Sequence, residues 1–301
     1  MNQEDRFPNL PLPERPRLQW PNGARVALWV VPNVEHYEFL PAVGTKRDPW
    51  PRTPHPDILG YGTRDYGNRV GFWRMADMMD RLGIRCTVSL GVAAFEHYPA
   101  VMKACLDRGW DVMCHGIYNT QYLWDMPEAQ ERAFIAECVE SYSRVTGGGT
   151  MAGWLSPALS YTLNTPDLVA EAGFKYFCDV VHDEQPWPIR TRGGQTMISL
   201  PYTVDLNDAV TNRAGLEAPD FCRMVRESFT RLHADGATQG RVMCIAIHPY
   251  NMAQPHRARH LEETLAWIMG HEGVWQATGA EIADWYLANH HPKIMAALGD
   301  R

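Results

Sequence analysis

Acidic and imidazole side chains follow three apolar segments of strand character in this sequence. Glu35 and His36 come after the run 26–31, His115 after 111–114 and His248 after 243–247. The carboxyl ends of parallel strands point into the active sites of α/β barrels and open sheets, so chemically active side chains at these ends indicate catalysis. Three such ends that converge would form a hydrolytic site.

The chain has 12 histidines, and most of them are expected to do no chemistry. A lone histidine is more often a satisfied loop residue than a ligand. His115 and His248 differ because each directly follows a strong strand pattern. The histidines that we assign to structural or surface positions are His97, His233, His260, His271, His290 and His291.

Alternating strand and helix patterns must position these residues. The predicted strands are Arg25–Val31, Arg85–Leu90, Trp110–Cys114, Gly153–Leu155, Tyr176–Asp179, Met197–Leu200, Arg241–Ile247 and Gly273–Trp275. The predicted helices are Val70–Leu82, Pro99–Arg108, Pro127–Thr146, Thr165–Ala172, Pro219–Asp235, His256–Met269 and Thr278–Asn289. Strands separated by amphipathic helices favour parallel pairing, in a barrel or a doubly wound sheet. The number of units favours an α/β fold of the distorted (β/α) barrel type, with about seven strands.

Three segments fall outside this alternation. Residues 1–24 contain five prolines and are expected to form an extended arm over the domain or a neighbouring subunit, while residues 25–301 form a single domain. Two insertions, Phe39–Asn68 and Val181–Thr196, are expected to be loops that bind a ligand or cover a site.

Composition excludes several classes of function. A net charge of −7 argues against a nucleic-acid surface, which needs clustered Lys and Arg. No segment reaches the roughly 20 apolar residues of a membrane helix, and the first residues lack a signal-peptide pattern, so we expect a cytoplasmic protein with a small-molecule substrate. The seven cysteines have no C-x-x-C spacing and are expected to be reduced and buried. The proline-rich arm and many aromatic residues favour a homo-oligomer.

The three strand-end elements resemble the polysaccharide deacetylase superfamily, also called carbohydrate esterase family four, over roughly residues 25–290. Three further segments are similar to the branch that contains allantoinases and cyclic imide hydrolases. They are Tyr66-Gly67-Asn68-Arg69-Val70-Gly71-Phe72-Trp73-Arg74, Tyr176–Trp187 and Leu200-Pro201-Tyr202-Thr203-Val204-Asp205-Leu206-Asn207-Asp208. The resemblance implies a polysaccharide-deacetylase-like barrel.

The sequence departs from the sugar deacetylases at the site itself. Those enzymes have two adjacent aspartates where this chain has Glu35 and His36, and a second metal-binding histidine where it has Asn119. The resemblance implies a divalent transition metal, zinc above others, held by His36, His115 and Asn119. An amide oxygen is a weak zinc ligand, so action without a metal is left open.

An arginine of the family is also missing. The sugar deacetylases have an Arg-x-Pro pattern after the fourth strand, where this chain reads Leu155-Ser156-Pro157. Either Ser156 takes over a polar contact, or a loop arginine such as Arg64 or Arg69 reaches the base.

The resemblance implies a hydrolase of non-peptide C–N bonds, of the EC 3.5 type, that opens a small cyclic amide or imide. Glu35 would act as the base and His248 would protonate the leaving nitrogen. One alternative is an N-deacetylase of an acetylated sugar or small amide, and a second is a catalytically silent binding protein. The residues expected to bind substrate are Tyr66, Arg69, Trp124, Ser156, Trp187 and Tyr202.

Overall fold

A curled, mainly parallel sheet forms the centre of the computed structural model, which describes residues 3–41 and 56–299. Within these residues nine strands run in the order β6-β7-β5-β4-β3-β2-β1-β8, with β9 also paired to β1. Every pair is parallel except β6 with β7. The strands are β1 (Val26–Val34), β2 (Thr87–Leu90), β3 (Asp111–Cys114), β4 (Gly153–Trp154), β5 (Tyr176–Phe177), β6 (Trp187–Ile189), β7 (Met197–Ser199), β8 (Arg241–Ile247) and β9 (Val274–Gln276). The prediction of a distorted (β/α) barrel is confirmed, with more strands than the seven expected.

Helices cover the outside of the sheet. The helices are α1 (Gln3–Arg6), α2 (Ile58–Tyr66), α3 (Phe72–Leu82), α4 (Ala94–His97), α5 (Pro99–Asp107), α6 (Glu128–Thr146), α7 (Thr165–Glu171), α8 (Asp208–Arg213), α9 (Ala218–Asp235), α10 (Pro255–Met269), α11 (Gly279–Asn289) and α12 (His291–Gly299). All seven helices predicted from the sequence are present, with ends shifted by a few residues. In the described part of the chain, no helix is both long and apolar enough to cross a membrane.

Strand β1 divides the core into two layers because successive side chains of a strand point to opposite faces. Ala27, Trp29 and Val31 lie in the cluster that fills the inside of the barrel, together with Trp20 and Tyr286. The alternate residues of β1 lie in the cluster between the sheet and the helices. Both faces of β1 are therefore buried, which explains its continuous apolar sequence.

The barrel is distorted because its two edges do not pair as strands. The β8 edge opposite β1 meets irregular backbone: Val242 N donates to Glu184 O at 2.8 Å, and Asn207 forms an isolated bridge with Ala246. The loop that carries Asn207 therefore lies beside β8, close to the carboxyl end where His248 follows.

The first predicted insertion, Phe39–Asn68, is wrong in its second half, which is helical. From Ile58 the chain runs through α2, a π-helical turn (Gly67–Gly71) and α3. Gly67 and Gly71 in this helical stretch serve close packing, since a Cβ would lie 2.9 Å from Tyr250 N and 2.2 Å from Pro249 O respectively. Residues 42–55 of this insertion lie outside the described residues.

The second predicted insertion, Val181–Thr196, contains strand β6, which pairs antiparallel with β7. Its three residues were too few to show a period in the sequence.

The N-terminal arm lies over its own domain: Leu18 and Trp20 are buried, and Trp20 Nε1 donates to Arg241 O at 2.8 Å. An ion pair of 2.7 Å between Arg6 and Asp167 holds the start of the arm.

Two glycines of the α2–α3 segment form a matched pair for mutation. We expect Gly71→Ala to cost about 3 kcal/mol of unfolding free energy because the new methyl group overlaps the Pro249 carbonyl. Gly62→Ala, whose Cβ would meet nothing within 4 Å, should stabilise the helix by about 0.5–1 kcal/mol. Urea unfolding of both variants measures the difference. Equal unfolding free energies of the two variants would show that Gly71 is not closely packed against the 249–250 backbone.

Candidate active site

A cavity of about 250 Å³ opens at the carboxyl ends of the parallel strands. The structure brings Glu35, after β1, together with His115, after β3, and His248, after β8. Tyr37, Tyr122, Trp124, Tyr202 and Tyr250 form aromatic walls, and Asn33, Asn119, Ser156, Asn207 and Arg213 add polar groups.

Four ionisable side chains form a row, and the two central ones, Glu35 and His248, line this cavity. His248 Nδ1 lies 2.6 Å from Asp208 Oδ1, and the His248 backbone N–H donates to Asp208 Oδ2 at 3.0 Å. On the other side of the ring, His248 Nε2 lies 3.5 Å from Glu35 Oε1. Arg64 Nε donates to Glu35 Oε2 at 3.1 Å. The charges in the row therefore alternate in sign when all four groups are ionised.

This row fixes the protonation of its central groups. Burial alone would lower the pKa of His248, but Asp208 and then Glu35 raise it to about 9. Burial alone would raise the pKa of Glu35, but the hydrogen bond from His248 and the charge of Arg64 bring it well below its usual value. At neutral pH the cavity holds an imidazolium with an Nε2–H beside a carboxylate. The His248 imidazolium can donate a proton to a bound molecule, and the Glu35 carboxylate can accept a hydrogen bond beside it.

Arg64 is the arginine that reaches the acid predicted as the base. Its guanidinium stacks 3.8 Å from the centroid of the Tyr37 ring and 4.6 Å from that of Tyr250. Asn68, in the π-helical turn, donates to the Glu35 carbonyl at 2.9 Å. π-helical turns often occur at functional sites, and this one places Asn68 on the Glu35 segment directly after α2, which carries Arg64. The sequence alone could not show whether Arg64 or Arg69 contacts this acid.

His115 is rigidly held at the end of β3. Its backbone N–H donates to Leu90 O at 3.0 Å, and its ring Nδ1 lies 2.8 Å from Leu155 O. A carbonyl oxygen can only accept, so Nδ1 carries the proton and Nε2 is the acceptor of a neutral ring. Burial lowers the pKa of His115, which favours this neutral form.

Ser156 lines the cavity and forms hydrogen bonds with the buried Asp179. The Ser156 backbone N–H and hydroxyl donate to the two oxygens of Asp179 at 2.7 and 2.6 Å, and Trp154 Nε1 donates to Ser156 Oγ at 2.9 Å. Burial raises the pKa of Asp179 to about 7, although both contacts with Ser156 oppose the rise. Ser156 thus fixes the turn that forms one wall of the cavity.

His36 lies on the other side of the strand end. Its ring lines a separate cavity of about 600 Å³, where it lies 4.0 Å from the ring of His97, centroid to centroid. Arg69 lines the same cavity and pairs with Asp65 at 2.6 Å. Neither side chain lines the cavity of Glu35 and His248. His97, which we assigned to a structural position, belongs to this second group.

The predicted metal set does not fit a zinc ion. Zinc sites use His, Cys, Asp or Glu, and within residues 3–41 and 56–299 no three such residues are placed to share one ion. His36 faces the separate cavity, and Asn119 Oδ1 accepts from the His36 backbone N–H at 3.3 Å. Glu35 already has the cations Arg64 and His248 as neighbours. His36 therefore does not line the cavity that His115 and Asn119 share.

The remaining predicted binding residues divide into two groups. Trp124 and Tyr202 line the cavity, and Tyr202 donates to Asn33 Oδ1 at 3.2 Å. Tyr66 lines neither cavity and accepts from Arg74 at 3.2 Å. The prediction for Trp187 is wrong: it is 3% exposed, its Nε1 donates to Pro8 O, and Arg15 stacks on its ring. It anchors the N-terminal arm.

Asp208 is the functional residue that sequence reasoning missed. It lies at the start of α8, behind the site, and contacts the imidazole from 40 residues away in the chain. Its segment, 200–208, carried part of the resemblance, but nothing in the spacing connected it with His248. The isolated bridge between Asn207 and Ala246 makes that connection in the fold.

Both the sequence and the structure of this chain are similar to those of known proteins. The sequence matches the polysaccharide deacetylase family over residues 54–177. A Schizosaccharomyces pombe protein that bears the name of a polysaccharide deacetylase is 26% identical over 303 residues, which cover 90% of this chain and 93% of that protein. The crystal structure of Puue allantoinase has a TM-score of 0.80 and 26% identity, with 91% of this chain and 94% of that chain covered. A probable polysaccharide deacetylase from Pseudomonas aeruginosa PAO1 has a TM-score of 0.81 and 27% identity, with 91% and 95% covered.

The contact of Arg64 with Glu35 predicts a mutational effect. Arg64→Met should lower turnover on the order of a hundredfold, because the carboxylate loses the group that fixes its position. Arg64→Lys should fall in between, since an ammonium keeps the charge but not the planar stacking on two tyrosines. Steady-state kinetics measure both. Arg259→Met, which breaks an exposed ion pair on α10, is the control, and equal turnover in the Arg64 and Arg259 variants would contradict the role.

Proposed function

We propose that this chain, which matches the polysaccharide deacetylase family over residues 54–177, hydrolyses a non-peptide C–N bond and opens a small cyclic amide or imide. The observation that carries the proposal is the buried, cationic His248 beside Glu35 in a small cavity. The family match supports the hydrolase class, and the ring substrate is the finer part of the proposal.

His248 supplies the proton that this reaction needs. An amide nitrogen leaves poorly as an anion, so it must be protonated as the C–N bond breaks. His248 carries its proton on Nε2, on the cavity side, because Nδ1 donates to Asp208. A pKa near 9 keeps this donor charged at neutral pH.

Glu35 holds the attacking water in this proposal. Its carboxylate accepts a hydrogen bond from the water and balances the charge of His248, while Arg64 fixes its orientation. The low pKa of Glu35 makes it a weaker proton acceptor than sequence analysis assumes. Its negative charge is nevertheless required, because without it His248 loses part of its stabilisation as a cation.

The walls of the cavity suit a small planar ring. The volume of about 250 Å³ accommodates one small ring rather than a chain of sugars, and tyrosine and tryptophan side chains offer flat apolar faces. Asn33 and Asn207 also line the cavity, but their amide oxygens already accept from Tyr202 and from the first turn of α8, so the aromatic faces carry this fit. Similarity to Puue allantoinase over 91% of the chain supports this substrate class.

Removal of an N-acetyl group is the second candidate. Two relatives carry polysaccharide deacetylase names, and the same proton donor serves an acetamide. The acetyl group would occupy the cavity while the sugar lies outside it, against Trp124, which is 47% exposed.

A substrate panel tests the proposal. We expect turnover of at least one ring amide among allantoin, hydantoin and succinimide, and none of N-acetylglucosamine or chitin oligomers. Glu35→Gln should reduce the ring-amide rate at least about a hundredfold, which ties the activity to this cavity. Turnover of the acetylated sugars alone would replace the proposal with deacetylation. Binding of a ring amide without any hydrolysis would make the protein a silent binder.

A further inference from the structure

The proton donor of the proposed reaction, His248, is held at two points by Asp208, a residue of a different element of the fold. His248 directly follows β8, whereas Asp208 is the first residue of α8, a helix of six residues. Both contacts between them, of 2.6 and 3.0 Å, depend on how this short helix lies against the turn after β8. A third contact between the same two elements comes from Asn251.

We propose that Asn251 is a positioning residue, which holds the start of α8 against the turn after β8 so that Asp208 keeps the His248 imidazole in its orientation. The assignment rests on the proposed function, because it concerns the proton donor of that reaction. Asn251 Nδ2 donates to the Asp208 carbonyl oxygen at 2.9 Å. The Asn251 backbone N–H donates to the His248 carbonyl oxygen, also at 2.9 Å. One residue thus contacts both members of the pair.

The orientation of the Asn251 amide is fixed by its neighbours. Arg257 Nη1, on α10, donates to Asn251 Oδ1, and a guanidinium can only donate. The Asp208 carbonyl on the other side can only accept, so a flipped amide would lose both contacts. Arg257 is itself held by Glu217 at the start of α9, whose Oε2 lies 3.4 Å from Arg257 Nη2. Asn251 therefore connects the start of α8 with α10 and, through Arg257, with α9.

Two other contacts of this region do not perform the same task. Thr211 Oγ1 also donates to the Asp208 carbonyl, at 3.2 Å, but Thr211 belongs to α8 and moves with that helix. The bridge between Asn207 and Ala246 pairs the loop before α8 with β8, and not with the turn that follows it. Since Asn251 is 6% exposed and Asp208 1%, water does not readily replace the amide as donor.

The consequence for catalysis follows from the direction of the His248 ring. Its Nδ1 faces Asp208, and its Nε2 lies 3.5 Å from Glu35 Oε1 at the cavity. A displaced α8 would turn the ring and move the Nε2 proton away from the leaving nitrogen. Misplacement of a catalytic group by about 1 Å can cost about a hundredfold in rate. We expect a smaller loss, of about tenfold, because both direct contacts between Asp208 and His248 remain possible.

Two variants of Asn251 test the assignment on the ring amide that the wild-type protein opens. Asn251→Asp keeps an oxygen for Arg257 but has no N–H for the Asp208 carbonyl, whereas Asn251→Ala loses both contacts. We expect kcat to fall about tenfold in both variants, with KM changed less than about twofold. Asn289→Asp is the matched control, since Asn289 Nδ2 also donates to a backbone carbonyl, that of Trp285 on α11, at 2.8 Å. A wild-type kcat in Asn251→Asp would overturn the assignment, even if Asn251→Ala is slow.

Proton NMR of the His248 ring gives a second readout, which needs no substrate. The Nδ1–H that donates to Asp208 should give a far-downfield signal at neutral pH in the wild-type protein and in Asn289→Asp, and His248→Gln identifies the signal by its loss. In folded Asn251→Asp we expect this signal to move upfield and to exchange faster with water. An unchanged signal would overturn the positioning role. Failure of the whole substrate panel would instead remove the proposed function, while this signal still decides whether Asn251 positions the ring.

Discussion

Burial of four ionisable groups in one row is the constraint on which this site depends. Asp208, His248, Glu35 and Arg64 are each withdrawn from water, and an unpaired buried charge costs several kcal/mol. The alternation of sign along the row compensates that cost and at the same time sets the chemistry: a histidine held as a cation beside a carboxylate held as an anion. Removal of His248 leaves Asp208 without its counter-charge in the row, and removal of Glu35 does the same to Arg64.

The fold supplies these groups from four separate elements. Glu35 follows β1 and His248 follows β8, two strands paired along seven residues. Arg64 comes from α2, and Asp208 begins α8. The close contact of Gly67 with the Tyr250 backbone couples the helical segment to the β8 loop, so the positions of Arg64 and His248 depend on the same packing surface.

The sequence predicted the parallel architecture and the strand-end residues because apolar strand runs and the polar residues after them are local patterns. It could not predict the residues brought in by tertiary packing. Asp208 and Arg64 reach the site from helices whose places are set by glycine contacts and by the loop beside β8. Trp187 was misassigned because an apolar aromatic looks the same in sequence whether it faces a ligand or the N-terminal arm.

His36 illustrates a physical rule that was available from the sequence. Adjacent residues at a strand end point to opposite sides, so Glu35 and His36 line different cavities, and a metal held by His36 would not lie beside the predicted base. The family resemblance placed the two residues in one site, whereas strand geometry separates them.

An NMR titration of the His248 ring tests whether the fold holds this side chain as a cation. We expect His248 to stay protonated through neutral pH and to titrate near pH 9 in the wild-type protein, and Asp208→Asn to lower this pKa. A raised pKa means that the charged form is favoured by the fold, so the ring should lose its proton only as the pH rises through that value. Titration at or below the ordinary value of about 6.5 would contradict the account, because His248 would then be neutral at the pH where it must donate.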